Sequence, residues 1–268
     1  MLQGIYIIDA DNTLWDTNAV FFGAQTKMIR TLQENGFRLD AETALQAMRT
    51  LDLEISVNLD NFEYDFSRLA CALLLLDQGL REDETVRLVC APDPPAAVRE
   101  TARHAATRFY AHIDANHPRL FPGVFETLAA LRAQGNTLVL HSEGLHNRIL
   151  QTLDFYELKP LFDNLVLERK STESFLRARS GGESLFKATT GRNPGHCIVV
   201  GDSPKRDIRF GNLIGATTVF KPGGWLGAEY PDDPLLIPHF TIDCFPELLE
   251  LGQPPAESLG NRTVGEAF

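Results

Sequence analysis

The sequence predicts an α/β fold, a doubly wound parallel-sheet core with an all-α domain inserted behind its first strand. Three observations carry this expectation. Apolar runs of strand length recur at residues 5–8, 137–141, 162–167, 197–200 and 217–220, with helical patterns between them. The first run, Ile5-Tyr6-Ile7-Ile8, shows no polar alternation, as a strand covered on both faces of a parallel sheet requires. Between the first and second runs the pattern stays helical for roughly a hundred residues, whereas connections in such units take about 2 to 6. A stretch of that length is a domain of its own.

At 268 residues the chain has room for a core and a smaller second domain. Its 44% hydrophobic and 23% charged residues are ordinary for a globular protein and set aside the disordered and membrane-spanning classes. Lys and Arg number 25 against 36 Asp and Glu, so the net charge of -11 disfavours nucleic acid or an anionic membrane as partner. An anionic substrate must then be held by local cations. Met1 runs straight into the first strand without a basic, apolar leader, and a cytoplasmic location is expected. Cys71, Cys90, Cys197 and Cys244 lack paired spacing, so free and mostly buried thiols are expected.

Within the insert, Phe21, Met28, Ile29 and Leu32 mark the apolar face of a helix that ends at Asn35-Gly36. Further helices are expected over residues 41–54, 62–77, 82–89 and 98–112, the last two separated by Ala91-Pro92-Asp93-Pro94-Pro95. Strand and helix then alternate. Phe121-Pro122-Gly123 turns into a helix over 124–134, Gly135-Asn136 ends it, and the next strand closes at Ser142. A helix over 145–153, the strand 162–167 and Lys170 follow, with two short helices expected across 171–190. The strand 197–200 runs into Gly201-Asp202-Ser203, and a helix, the strand 217–220 and an edge strand at 240–242 complete the sheet. The expected domains are a discontinuous core, residues 1–16 and 118–268 with a mobile tail over 253–268, and a helical domain over 17–117.

The strand ends carry the chemistry. Asp9 and Asp11 follow the first strand two positions apart, so in extended backbone their side chains share a direction. Crowded carboxylates repel unless a cation or a shared proton compensates. Ser142 closes the second strand, Lys170 follows the third, and Asp202 follows the fourth with Asp207 close behind. In a parallel sheet these ends share one edge, where α/β folds place ligands. Hard carboxylate oxygens suit Mg²⁺, which leaves room for an oxygen of a phosphate substrate. Lys170 and the Ser142 hydroxyl suit the remaining phosphate oxygens, helped by N–H groups of the following helix.

Asp9-Ala10-Asp11-Asn12-Thr13 after an apolar strand resembles the DxDxT signature of the haloacid dehalogenase (HAD) superfamily. Ser142 resembles that family's second motif, Lys170 its third, and Gly201-Asp202-Ser203-Pro204-Lys205-Arg206-Asp207 the GDxxxxD form of its fourth. The likeness covers residues 1–16 and 118–250. It implies a Rossmann-like core and a phosphatase-type hydrolase in which Asp9 is the nucleophile that forms an aspartyl-phosphate. Asp11 would protonate the leaving oxygen and later activate water. It also implies Mg²⁺ held by Asp9, Asp202 and the backbone carbonyl of Asp11, with Asp207 orienting that shell and Ser142 and Lys170 on the phosphate. Relatives that cleave carbon–halogen bonds usually lack an Asp at the position of Asp11, because a halide needs no proton, so dehalogenation is not expected. Thr13 is expected to fix the loop after the strand through its hydroxyl.

Two departures from the family pattern stand out. Glu143 in His141-Ser142-Glu143-Gly144 occupies a place where relatives carry a small, amide or basic residue, and it either points away or binds a substrate group. The path from Lys170 to Gly201 is long, which makes Lys187 a second candidate for the third motif. His141 and His146 are expected to be structural. His104, His112 and His117 are expected at the surface, since their spacings miss that of a helical zinc pair. Phe21, Phe22, Phe62, Tyr64 and Phe66 are expected mostly in the core of the insert. A helical cap between the first and second motifs sits over the carboxyl edge and favours small molecules over polymers. The expected activity is Mg²⁺-dependent hydrolysis of a small-molecule phosphate ester. A phosphomutase of the β-phosphoglucomutase type and a catalytically silent binding protein are the alternatives, and intact Asp9, Asp11 and Asp202 argue against the second.

Overall fold

A computed structural model describes residues 4–59, 64–167, 170, 197–223 and 233–251. The strands in chain order are β1 (Ile5–Ile8), β2 (Trp15–Asp16), β3 (Arg119–Leu120), β4 (Thr137–Ser142), β5 (Asn164–Leu167), β6 (Cys197–Gly201), β7 (Thr217–Phe220) and β8 (Phe240–Thr241). Six of them form one sheet in the order β5-β4-β1-β6-β7-β8, and β2 pairs with β3 in a separate ribbon. Every pairing in the large sheet is parallel, with Ile8 of β1 opposite Leu140 on one side and Val200 on the other. All four residues of β1 are buried, as the unbroken apolar run requires. The order reverses at β1, since β4 and β5 extend the sheet on one side and β6, β7 and β8 on the other. The carboxyl end of β1 therefore stands at a topological switch point, the place where open α/β sheets form a crevice.

The chain divides into two compact units, Met1–Leu14 with Leu120–Phe268, and Trp15–Arg119. The second unit is helical, with α1 (Thr17–Glu34), α2 (Ala41–Leu59), α3 (Ser67–Asp77), α4 (Glu82–Cys90) and α5 (Ala96–Ala115). Asp16 starts α1 by accepting a hydrogen bond from the Ala19 N–H at 2.9 Å. α3 is buried over every residue from Leu69 to Leu75, the pattern of a helix surrounded by its neighbours. Its core joins Met28, Met48, Leu73, Val89, Ala105 and Phe109, to which all five helices contribute. Phe66 stacks on Phe109 at 4.5 Å between ring centres and on Tyr64 at 5.2 Å.

In the first unit α6 (Val124–Ala133), α7 (His146–Phe155), α8 (Arg209–Ile214) and α9 (Leu248–Leu251) accompany the sheet. Ile5, Ile7, Val139, Cys197, Val199, Phe210 and Ala216 pack into one apolar cluster.

Several local expectations are corrected. α2 continues to Leu59, and α3 begins at Ser67 because the Asp65 carboxylate accepts bonds from the Ser67 N–H and hydroxyl and fixes a turn there. β5 starts at Asn164, after a 3₁₀ turn at Lys159–Leu161 that contains Pro160. His112 is half-buried rather than at the surface, its ring lying so close to Gly23 that a Cβ there would fall 2.4 Å from Nε2. Phe22 is exposed, and so is Cys244, although all four thiols are free. The helices expected across 171–190, Phe62 and the tail 253–268 lie outside the described residues. No helix among the described residues is long and apolar enough to cross a membrane.

Candidate active site

The chain leaves β1 still in the sheet, with the Asp9 N–H bonded to the Val200 carbonyl at 2.9 Å. It then turns sharply, and the N–H groups of Thr13 and Leu14 both donate to the Ala10 carbonyl, at 3.2 and 2.8 Å. The turn needs a residue in the left-handed region, and Asn12 supplies it with φ +59°. Asn is one of the few side chains that visit this region readily. The Thr13 hydroxyl does not do the fixing expected of it. Its Oγ1 is buried with no hydrogen-bond partner among the described residues, and the main-chain bonds to Ala10 close the turn instead.

Three loops from other strand ends meet this turn. The Lys170 ammonium lies 2.5 Å from Asp9 Oδ1 and 2.6 Å from Asp207 Oδ1, with its side chain only 4% exposed. Lys187, the other candidate for this role, lies outside the described residues. After β6 the chain runs into a π-helical turn at Pro204–Ile208, a feature frequent at functional sites. That turn folds Asp207 back so that its Oδ2 accepts from the Ser203 N–H at 3.0 Å. Its carboxyl carbon lies where a Cβ on Gly201 would stand, 2.1 Å away, so the glycine is a steric requirement of the motif. Oxygens of Asp9, Asp202 and Asp207 all come within 4.8 Å of one another. The Asp11 carboxylate is not in that group. It packs against Gly144, where a Cβ would fall 2.4 Å from Asp11 Oδ2.

The electrostatics follow from this crowding. Burial pushes Asp9 up to about 7 against the opposing pull of Lys170, and the charges of Asp207 and Asp11 add to the rise. Burial and the neighbouring charges of Asp9 and Asp207 likewise hold Asp202 well above the usual carboxylate range. Burial alone would lower Lys170, but Asp207 and Asp9 outweigh it and raise the ammonium above its ordinary value. One ammonium among these acids leaves an excess of negative charge that suits a hard cation.

Ser142 is buried at the end of β4, and its Oγ accepts from the Gly144 N–H at 3.2 Å. Glu143 resolves into a brace between loops. One of its oxygens accepts from the Lys170 backbone N–H, and the other pairs with Arg206 at 3.5 Å. His141 is buried edge-on to Phe210 at 5.2 Å between ring centres, and His146 opens α7 in an exposed position.

The model of the haloacid dehalogenase-like hydrolase family matches residues 4–215. The chain belongs to that family. No curated relative matches the sequence. Among solved structures, the HAD hydrolase YfnB from Bacillus subtilis, solved bound to magnesium, is similar at TM-score 0.62 and 17% identity, over 93% of this chain and 98% of that one. A protein from Haemophilus somnus described as a predicted phosphoglycolate phosphatase is similar at TM-score 0.57 and 18% identity, over 94% and 99% of the two chains. A 2-haloacid dehalogenase from Pseudomonas syringae is similar at TM-score 0.52 and 20% identity, over 93% and 98%. These likenesses extend over the whole fold of this HAD hydrolase and include both chemistries.

Sequence reasoning missed three residues of the HAD site: Gly144, Arg206 and Lys221. Lys221 directly follows the apolar run of β7, and the rule that points to Lys170 at a strand end would have found it. The brace gives a prediction. Glu143→Ala, which frees the Lys170 backbone, is expected to lower turnover by about 10- to 100-fold. Glu143→Gln keeps an acceptor for that N–H and should recover most of it. Equal losses in steady-state assays would show that the charge facing Arg206 matters instead.

Proposed function

We propose that this HAD hydrolase is a magnesium-dependent phosphatase that cleaves a small phosphorylated metabolite through an aspartyl-phosphate on Asp9. The observation that carries the reading is Asp11, placed two residues beyond Asp9 with its carboxylate seated on Gly144. A halide departs without a proton, whereas an alkoxide leaving from phosphorus needs one, so a proton carrier at this position favours phosphate esters. The lysine joining Asp9 to Asp207 supports the same reading, since a carboxylate attacks a phosphate dianion only where fixed cations screen the repulsion.

In this mechanism an Asp9 oxygen attacks phosphorus, the ester P–O bond breaks, and the leaving oxygen takes the Asp11 proton. Asp11 then removes a proton from water as it attacks the aspartyl-phosphate, which releases phosphate and restores Asp9. Lys170 stabilises the phosphoryl oxygens in both steps, and the Ser142 hydroxyl holds one of them. The clustered oxygens of Asp9, Asp202 and Asp207 fit a divalent cation by number, burial and hardness. Asp9, Asp202 and the backbone carbonyl of Asp11 would hold Mg²⁺, with Asp207 orienting them. When bound, Mg²⁺ would supply charge neutralisation on the phosphoryl group. The four free thiols support a reducing, cytoplasmic setting.

A panel of phosphorylated metabolites tests the reading. Phosphate release with Mg²⁺ that stops on chelation is expected. Release only in the presence of a bisphosphorylated activator would point to a phosphomutase. A pH dependence is also expected. Asp9 in the metal-free protein holds its proton up to about 7, so protons compete with the cation below that pH. The rise in melting temperature caused by Mg²⁺ should therefore be larger at pH 8 than at pH 6. An equal rise at both would mean that Asp9 does not meet the cation.

A further inference from the structure

Lys221 stands one residue beyond β7, its backbone N–H bonded to the Gly201 carbonyl at 2.9 Å, which sets it among the carboxyl ends of the strands. Its side chain turns inward rather than to water, and the residue is 5% exposed. The ammonium lies 3.6 Å from the centre of the Phe121 ring and donates to the Asn12 carbonyl at 3.3 Å. A buried lysine carries a large desolvation penalty that an apolar side chain of the same length would avoid, so packing alone does not account for it. The group it holds belongs to the strained residue of the catalytic turn, Asn12 at φ +59°. The bonds to Ala10 close the turn from the Thr13 and Leu14 side, while Lys221 fixes the carbonyl at its crest.

We propose that Lys221 is a positioning residue that locks the Asp11-Asn12-Thr13 turn, so that the Asp11 carboxylate stands where it can deliver its proton to the leaving oxygen. This rests on the phosphatase reading for its kinetic consequence and on the turn alone for its structural one. Asp11 adjoins the locked peptide unit, and its carboxylate has one seat, against Gly144. Without Lys221 the turn relaxes and that carboxylate leaves its place, whereas Asp9 stays held by the β1–β6 ladder and by Lys170.

Lys221→Met in the full chain with Mg²⁺ tests the proposal, because it keeps the stem over Phe121 and removes only the donor and charge. Two esters are compared by kcat/KM, which covers the steps up to aspartyl-phosphate formation. The leaving group of 4-nitrophenyl phosphate departs without a proton, and that of a glycerol phosphate needs one. The loss for the alkyl ester is expected to exceed that for the aryl ester by about tenfold or more. Lys221→Gln, which retains an N–H donor, should recover part of the alkyl rate. In parallel, amide exchange at Thr13 and Leu14, read by NMR, should quicken by about tenfold in Lys221→Met. Equal losses for both esters would overturn the link to Asp11, and unchanged exchange would overturn the locking itself. If the wild-type protein hydrolyses neither ester, the phosphatase reading fails, while the exchange measurement still decides whether Lys221 locks the turn.

Discussion

Asp9→Asn is expected to lower phosphate release by about 10⁴-fold or more and to form no aspartyl-phosphate, in a protein that keeps its fold. The size of the effect follows from what the substitution removes. An amide oxygen carries no charge to donate to phosphorus, so the covalent step has no substitute among the neighbouring groups. Asp202 and Asp207 lie within 4.8 Å but are separate side chains with their own attachments. The fold should survive because Asn has the same shape and can still accept from Lys170, which also keeps Asp207 as a partner. Removing one of three crowded carboxylates also relieves repulsion, so a melting temperature near or above that of the wild type is expected. Full activity in this variant would sink the covalent mechanism. Loss of activity together with loss of the folded circular dichroism spectrum would make the test uninformative for chemistry, and the near isosteric exchange is chosen to avoid that.

Lys170→Ala is expected to lower turnover by about 10³-fold, far more than Lys187→Ala. It should also destabilise the protein by about 3 kcal/mol at neutral pH, because it leaves Asp9 and Asp207 buried without their ammonium. The destabilisation has a sign in pH. Asp9 has a raised pKa, so the folded chain binds its proton more tightly than the unfolded chain does. Its stabilising share is complete below the ordinary carboxylate range and is lost as pH rises toward about 7. Without Lys170 the pKa moves higher still, and the variant should lose more stability than the wild type between pH 6 and pH 8. Added Mg²⁺ should narrow that gap. Thermal melts at several pH values with and without Mg²⁺ check all three points. A larger loss of turnover in Lys187→Ala would reassign the third motif.

The core was legible because its signals are local and repeated. Ile5 to Ile8, Thr137 to His141 and Cys197 to Val200 each declare a buried strand without reference to anything distant, and the polar residue that ends each run marks the sheet edge. The meeting of Lys170 with Asp9 and Asp207 was legible for the same reason, since parallel topology alone carries three strand ends to one place. Glu143 was not. Its partners are the Lys170 backbone and Arg206, and which loops a carboxylate braces depends on coordinates that no spacing encodes. Gly201 and Gly144 were visible as letters of motifs, but their reason, a carboxylate resting on each Cα, is a tertiary contact. The start of α3 was misplaced because Tyr64 fits a helical pattern, while its hydroxyl is drawn to Asp52 at 2.6 Å.

The hydrogen bond from the Phe121 N–H to the Leu14 carbonyl, at 2.9 Å, bears on how such a chain can change. Residues 15–119 depart and return through backbone positions that already touch. The sheet therefore sees the entire excursion as a loop whose ends are pinned, and the entropy of closing that loop grows only slowly with its length. Helices can be lengthened, replaced or exchanged wholesale within those bounds without altering the register of a single core strand. Under the proposed mechanism, descendants of one catalytic edge could thus acquire new substrates by trading the excursion, with Asp9 and its partners left in place.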